Sequence, residues 1–126
     1  MGKIVNSETA CLAKNNGFNV PVLNCYNDDY EIVDVNTLWN YGCEGGMRLE
    51  EWYVDYNSTD TITSVIVSAP THSELQDWLR KEHNINIYAY QPADTIGWVN
   101  NIENKSLYIS YEVALERGLQ KALKLI

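Results

Sequence analysis

Residues 71–90 read THSELQDWLRKEHNINIYAY and contain a helix with both of its ends, followed by a strand. Thr71 and Glu74 have the spacing of a capping box, in which the hydroxyl accepts from the backbone N–H three residues on and the carboxylate accepts from the N–H of the cap. Three apolar residues follow at helical spacing and form a buried stripe: Leu75, Trp78 and Leu79. Asn84 tolerates the left-handed conformation that ends many helices. These signals predict a helix between Thr71 and Asn84.

The apolar period changes from about 3.6 to about 2 residues after this helix, which indicates a strand in INIYAY. Its two faces alternate, with Ile85, Ile87 and Ala89 on one side and Asn86, Tyr88 and Tyr90 on the other. Further strands are indicated by IGWVNNIE and LYIS, and Ser110 caps a last helix. The apolar stripe of that helix is Ala114, Leu115, Leu119, Ala122, Leu123 and Ile126. The second half is therefore predicted as helix, three strands, helix.

The first half has a similar alternation of signals. Ser7 predicts the N-cap of a helix over residues 8–16, and Gly17 supplies its left-handed stop. VPVLNCY and YEIVDV predict a hairpin around residues 27–29, while MRLEEWYVDY and ITSVIV predict two more strands. The fold class is α+β with antiparallel sheets, in the order α-β-β-(β-β)-α-β-β-β-α. We expect one compact domain over residues 1–126. The alternative is two αβββ-type halves, 1–68 and 69–126, that share the central helix.

The negative charge is concentrated in the middle of the chain. The 126 residues carry a net charge of −8, and residues 28–60 alone contain nine acids and one base, Arg48. The rest of the chain balances to zero. Such a segment repels phosphate backbones, because nucleic-acid affinity comes mainly from Lys and Arg that replace counterions. Nucleic acid is therefore an unfavourable partner for this segment.

No apolar run reaches the length of a membrane helix, and the N-terminus lacks the apolar core of a signal peptide. We therefore expect a cytoplasmic protein with no membrane partner. Cys11, Cys25 and Cys43 have no metal-site spacing and are expected to be reduced, small apolar residues. His72 and His83 are eleven residues apart on one helix, about 16 Å along its axis, which is too far for one metal ion. They are expected to be polar helix-end residues, and no cofactor or metal is predicted.

Tyrosine and tryptophan are frequent in the acidic segment. Both residue types combine a large apolar area with a polar tip, which suits contact surfaces. The simpler interpretation is packing in the core and at its rim; the sharper one is an acidic, aromatic interaction face. The predicted interaction face consists of Asp28, Asp29, Trp39, Tyr41, Glu50, Glu51, Trp52, Tyr53, Asp55 and Tyr56.

Three stretches together carry a family resemblance: Ser68-Ala69-Pro70-Thr71, LQDWLRKEHNINI from Leu75 to Ile87, and YEVALERGLQKALKLI from Tyr111 to Ile126. They resemble a group of small uncharacterised proteins of gut bacteria and their phages. Those proteins share an SAPTxSxLQxWLRxxHNI core and a YExALxxGLxxALKLI C-terminal helix. The segment Gly17-Phe18-Asn19-Val20-Pro21 is similar to a GFNxP piece that often precedes them. The resemblance implies a phage or mobile-element setting and no particular activity.

The sequence favours a non-catalytic protein that binds an unknown protein partner, of basic character, through the predicted interaction face; a homo-oligomer is compatible with it. A first alternative is a nucleic-acid-associated αβββα module that uses the basic residues of the last two helices: Arg80, Lys81, Arg117, Lys121 and Lys124. A second is an enzyme of unknown class that uses Cys43 or the carboxylates, which would require a concave pocket with converging polar groups.

Overall fold

The computed structural model describes residues 3–34, 53–58, 66–103 and 106–126. In chain order, these residues form α1 (Ser7–Asn15), β1 (Asn24–Tyr26), β2 (Ile32–Asp34), a short 3-10 helix (Tyr56–Ser58), β3 (Val67–Ala69), α2 (His72–His83), β4 (Ala89–Tyr90), β5 (Val99–Asn100) and α3 (Tyr111–Leu125). The protein is α+β, which confirms the predicted class.

Two antiparallel sheets are present in the described residues. The first has the strand order β2-β1-β3, with Cys25 opposite Val33 on one side and Ser68 on the other. The second consists of β4 and β5. Within the described part of the chain, the predicted LYIS strand contributes only an isolated bridge between Trp98 and Tyr108. Most of MRLEEWYVDY and ITSVIV lies outside the described residues.

The ends of α2 are as predicted. The backbone N–H of Glu74 donates to the Thr71 hydroxyl at 3.2 Å, and the Glu74 carboxylate accepts from the N–H of Thr71 at 2.8 Å. Asn84 has a φ of 55° and ends the helix in the left-handed conformation. Gly17 likewise has a φ of 88° after α1, where an L side chain would be strained.

The cap of α1 is one residue earlier than predicted. Asn6, and not Ser7, is the N-cap, because its side-chain oxygen accepts from the backbone N–H of Thr9 at 2.9 Å. Ser7 is already the first helical residue. An asparagine side chain caps a helix as well as a serine does, which explains why the helix begins one residue earlier.

The strand predicted in INIYAY is shortened to its last two residues because side chains bind the backbone groups that a ladder would have used. The side-chain amide of Asn101 accepts from the N–H of Tyr88 at 2.9 Å and donates to the carbonyl of Asn86. Gln76 donates to the carbonyl of Ile87 at 2.8 Å. The backbone is therefore satisfied without a regular partner strand.

The core lies where the three described helices meet the first sheet. Phe18 and Trp78 contact each other edge to face, with ring centroids 5.3 Å apart. The predicted stripe of α2 is buried, as are all predicted members of the α3 stripe except Ile126, which is 39% exposed. Gly118 allows α3 to approach the second sheet closely, since a Cβ there would lie 3.0 Å from side-chain atoms of Asn100 and Ile87.

Candidate binding groove

One wall of a surface groove is formed by the outward side of α1. Ser7, Cys11 and Lys14 are spaced by four and three residues, so they share one face of the helix. None of the three is fully buried. The Lys14 ammonium donates to the backbone carbonyl of Ile66 at 3.2 Å, which holds it against the chain segment that leads into β3.

The opposite wall is the turn between β1 and β2. The side-chain oxygen of Asn27 accepts from the backbone N–H groups of Asp29 and Glu31 at 2.9 and 3.0 Å, which orders the turn. Tyr30 is in the left-handed region with a φ of 61°, and its side chain is 69% exposed. Asp28, Asp29 and Glu31 are exposed as well. The turn therefore presents three acidic side chains and one aromatic ring to solvent.

The groove between these walls has a volume of about 350 Å³. Tyr26 and Val67, both nearly buried, line it together with the α1 and turn residues. The Tyr26 hydroxyl donates to the carbonyl of Val5. Burial and the nearby Glu116 carboxylate raise the pKa of Tyr26, so its ring remains neutral. The groove thus has a neutral, partly apolar interior and an acidic, aromatic rim at the turn.

The predicted interaction face is described only in part. Asp28 is exposed and lines the groove, Asp29 is exposed next to it in the same turn, and Tyr53 is 54% exposed. Asp55 is half-buried. Five members lie outside the described residues: Trp39, Tyr41, Glu50, Glu51 and Trp52.

Tyr56 does not belong to an exposed face. It is only 1% exposed, packs in the core, and donates its hydroxyl to the carbonyl of Leu23 at 3.0 Å. For this residue the simpler interpretation, core packing with a hydrogen-bonded polar tip, is the observed one.

Sequence reasoning missed Tyr30 and the α1 wall. The spacing of Ser7, Cys11 and Lys14 is visible in the sequence, but only the structure shows that the β1–β2 turn lies opposite this face of α1. Tyr30 was counted as a strand residue, whereas it occupies the turn position that glycine or asparagine usually fills.

A half-buried carboxylate joins the three described helices at another place in the fold. Glu116 Oε1 lies 2.7 Å from Nε2 of His72, while its Oε2 accepts from the Thr9 hydroxyl and, at 3.1 Å, from the N–H of Asn6. Burial raises the pKa of Glu116, but these hydrogen bonds lower it by more, so the pKa lies below its ordinary value. Gln120 donates to the Thr9 hydroxyl at 3.0 Å and extends the network.

His72 is the first residue of α2, a helix end as predicted, but it is buried. It is 4% exposed and paired, whereas His83 is exposed and packs its ring on Trp78, with centroids 4.8 Å apart. No local signal links His72 to Glu116, since 44 residues separate them.

The basic residues of α2 are partly neutralised. Arg80 and Lys81 contact the two carboxylate oxygens of Asp77 at 3.1 and 3.0 Å. On α3, Arg117, Lys121 and Lys124 are exposed. Two of the five cations named in the nucleic-acid alternative therefore contact a carboxylate, and the other three are exposed.

The described cysteines differ in accessibility. Cys25 is fully buried, and burial together with the charge of Asp34 raises its pKa to about 12, so its thiol is inert. Cys11 lines the groove. Cys43, the nucleophile of the enzyme alternative, lies outside the described residues. Within residues 3–34, 53–58, 66–103 and 106–126, no cluster of three His, Cys, Asp or Glu side chains is arranged to hold a metal ion.

Comparison with known proteins yields no relative: no family model matches the chain, nor does any curated protein or any solved structure. Among the described residues, no helix is long and apolar enough to cross a membrane.

Proposed function

We propose that this is a non-catalytic binding protein that holds a basic segment of another protein in the groove between α1 and the β1–β2 turn. The observation that carries the proposal is the joint exposure of Asp28, Asp29 and Tyr30 beside a pocket of about 350 Å³. The groove is concave and partly apolar, as binding sites usually are, and its acidic groups are gathered on the turn side.

Charge supports a basic occupant. Asp28, Asp29 and Glu31 lie within one short turn, and the whole chain has a net charge of −8. Such a field accelerates the encounter with a cationic partner and disfavours an anionic one. Because Lys14 is held at the other wall by the carbonyl of Ile66, the cation of the occupant is expected at the turn.

The aromatic ring supports arginine as the anchoring residue. A guanidinium can stack on an exposed tyrosine and donate in parallel to a neighbouring carboxylate, which a lysine ammonium does less well. Tyr30 stands beside Asp28 in the turn, and its conformation is unfavourable for a non-glycine residue. A side chain kept exposed in such a conformation is consistent with a role in contact.

The resemblance to small phage proteins is compatible with this proposal, since small accessory proteins in phages commonly act by occupying another protein. The phage setting, like the cytoplasmic location, is a part of the proposal that rests on the sequence alone.

The proposal is tested by titration of fluorescent peptides that carry arginines between apolar residues, against a matched set with citrulline in place of arginine. Wild-type protein is expected to bind the arginine peptides and to lose affinity as salt is added. Asp28→Asn is expected to weaken binding about three- to tenfold, because it removes one rim charge.

The matched control is Asp94→Asn. Asp94 is also exposed, and its φ of 62° resembles that of Tyr30, but it lies in the turn that precedes β5. Equal affinity of the Asp28 and Asp94 variants, or equal binding of arginine and citrulline peptides, would contradict the proposed function.

A further inference from the structure

The second sheet has one face toward α3 and one face away from it. Asn100 donates to the carbonyl of Ala114 at 3.0 Å, and Trp98 contacts Tyr111 with ring centroids 5.6 Å apart, so Trp98 and Asn100 point toward α3. Ala89 is directly opposite Asn100 and shares this inner side.

The other side follows from the strand alternation. Tyr90 pairs with Val99, and the bridge from Trp98 to Tyr108 places Leu107 next to Val99. We call this side the outer ribbon face and define it as Tyr88, Tyr90, Gly97, Val99, Leu107 and Ile109. Two contacts confirm that its members share a side: the rings of Tyr88 and Tyr90 are 5.9 Å apart, and a Cβ on Gly97 would lie 3.1 Å from Leu107.

The outer ribbon face is apolar and exposed, which is the reverse of the usual arrangement. Antiparallel sheets that have one wet face generally carry polar residues there. Here Ile109 is 87% exposed, Leu107 59%, Tyr88 47% and Tyr90 39%. Val99, at the centre, is buried but does not belong to the main core cluster of the described residues. Val99 and its exposed neighbours therefore form a small apolar cluster at the surface, separate from the main core cluster.

The outer ribbon face itself carries no charged side chain. None of the six residues of the outer ribbon face is ionised at neutral pH, although the chain has a net charge of −8. A charged partner would gain nothing from such a face. Two copies of this chain can meet here without bringing charged side chains of the face together, and each offers the other an apolar strip of the same size.

The exposed area is of the right order for a modest interface. The four exposed side chains present on the order of 500 Å², which is more than half of the about 800 Å² that each partner buries in a standard complex. Facing sheets pack well when their strands are nearly aligned, and a two-fold axis makes one patch complementary to itself.

We propose that the outer ribbon face is the interface of a homodimer, formed by the packing of two second sheets face to face. This interface is separate from the groove of the proposed function and does not depend on it.

The test is analytical ultracentrifugation of the full chain from about 1 µM to about 300 µM, which covers weak and moderate dissociation constants. Wild-type protein is expected to change from monomer to dimer in this range. Leu107→Lys is expected to weaken self-association at least tenfold, because each dimer would bury two lysines. Leu107 lies close to Gly97, so Leu107→Lys could also disturb the fold. Ile109→Lys is therefore a second variant with the same expected loss of self-association, and it should leave the fold intact because Ile109 is 87% exposed.

The matched control is Leu125→Lys, since Leu125 is 65% exposed but lies at the end of α3. It is expected to dimerise as the wild type does. A wild type that stays monomeric at the highest concentration would overturn the proposal. So would a dimer that survives both ribbon variants, or one that Leu125→Lys also disrupts.

Discussion

Nε2 of His72 lies 2.7 Å from Oε1 of Glu116, and this contact joins the first turn of α2 to the middle of α3. The other carboxylate oxygen binds Thr9 and Asn6 at the start of α1. One side chain thus fixes the relative positions of the three described helices, including the helix that forms one wall of the groove. Partly buried polar networks of this kind are costly to disrupt, because the groups that remain lose their partners in a poorly solvated place.

We expect Glu116→Gln to lower the free energy of unfolding by about 2 kcal/mol, since a near-isosteric amide cannot accept from all the donors that the carboxylate satisfies. Urea denaturation at neutral pH measures the change. Glu112→Gln, an exposed position on the same helix, should change stability by less than about 0.5 kcal/mol. If the two variants are equally stable, the network does not have the role assigned to it.

The contribution of Glu116 should depend on pH in the acid range. Its folded pKa lies below the ordinary value, so in that interval the unfolded chain binds more protons and stability rises with pH. The stabilisation is complete above about pH 4.5 and is lost as the pH falls through the folded pKa of Glu116. The difference in unfolding free energy between wild type and Glu116→Gln should therefore shrink below about pH 4.5. A difference that is constant from pH 5 to pH 3 would contradict this prediction.

Two buried hydroxyls should respond in opposite ways to removal. Ser68 and Thr9 are both 0% exposed, but the Ser68 hydroxyl has no hydrogen-bond partner among the described residues, whereas that of Thr9 binds Glu116 and Gln120. Ser68→Ala should leave stability unchanged or raise it by about 1 kcal/mol, because it removes an unsatisfied polar group. Thr9→Val should lower stability by about 1–2 kcal/mol. Thermal or urea unfolding measures both changes. Equal destabilisation by the two substitutions would contradict this prediction.

Tyr30→Gly should separate stability from binding. Glycine adopts a φ of 61° without strain, so we expect the unfolding free energy to rise by about 0.5–1 kcal/mol after the entropy that glycine adds to the unfolded chain is included. Loss of the ring should at the same time weaken binding of the arginine peptides. Asp94→Gly provides the control, because it relieves a φ of 62° in another turn and should leave peptide affinity unchanged. If the Tyr30→Gly variant binds the arginine peptides with wild-type affinity, the Tyr30 ring is not part of the binding site.

Local signals were sufficient for the helices and for most of their ends, although the N-cap of α1 is Asn6 and not the predicted Ser7. The capping box at Thr71, the left-handed Asn84 and the apolar stripes of α2 and α3 are all determined by residues a few positions apart, and the structure confirms them. Ile126 is the one predicted member of the α3 stripe that is not buried, because the helix has already ended there and the side chain is accessible to solvent.

Features that depend on distant residues were beyond sequence reasoning. The His72–Glu116 pair connects positions 44 residues apart, and the short β4 results from bonds that Asn101 and Gln76 make to its preceding segment. The outer ribbon face could be predicted in part, because the alternation in INIYAY placed Tyr88 and Tyr90 on one side. Their exposure, and the addition of Leu107 and Ile109 to the same side, required the register of the second sheet.

The central claim is that the groove between α1 and the β1–β2 turn binds a basic segment of a partner. It is tested most directly by mapping backbone amide chemical shifts while an arginine peptide is titrated into ¹⁵N-labelled protein. We expect the largest shift changes in residues 27–31 and on the Ser7, Cys11 and Lys14 side of α1, and much smaller changes with the citrulline peptide. Changes centred on α2 and α3, or a spectrum that does not change at millimolar peptide, would contradict it.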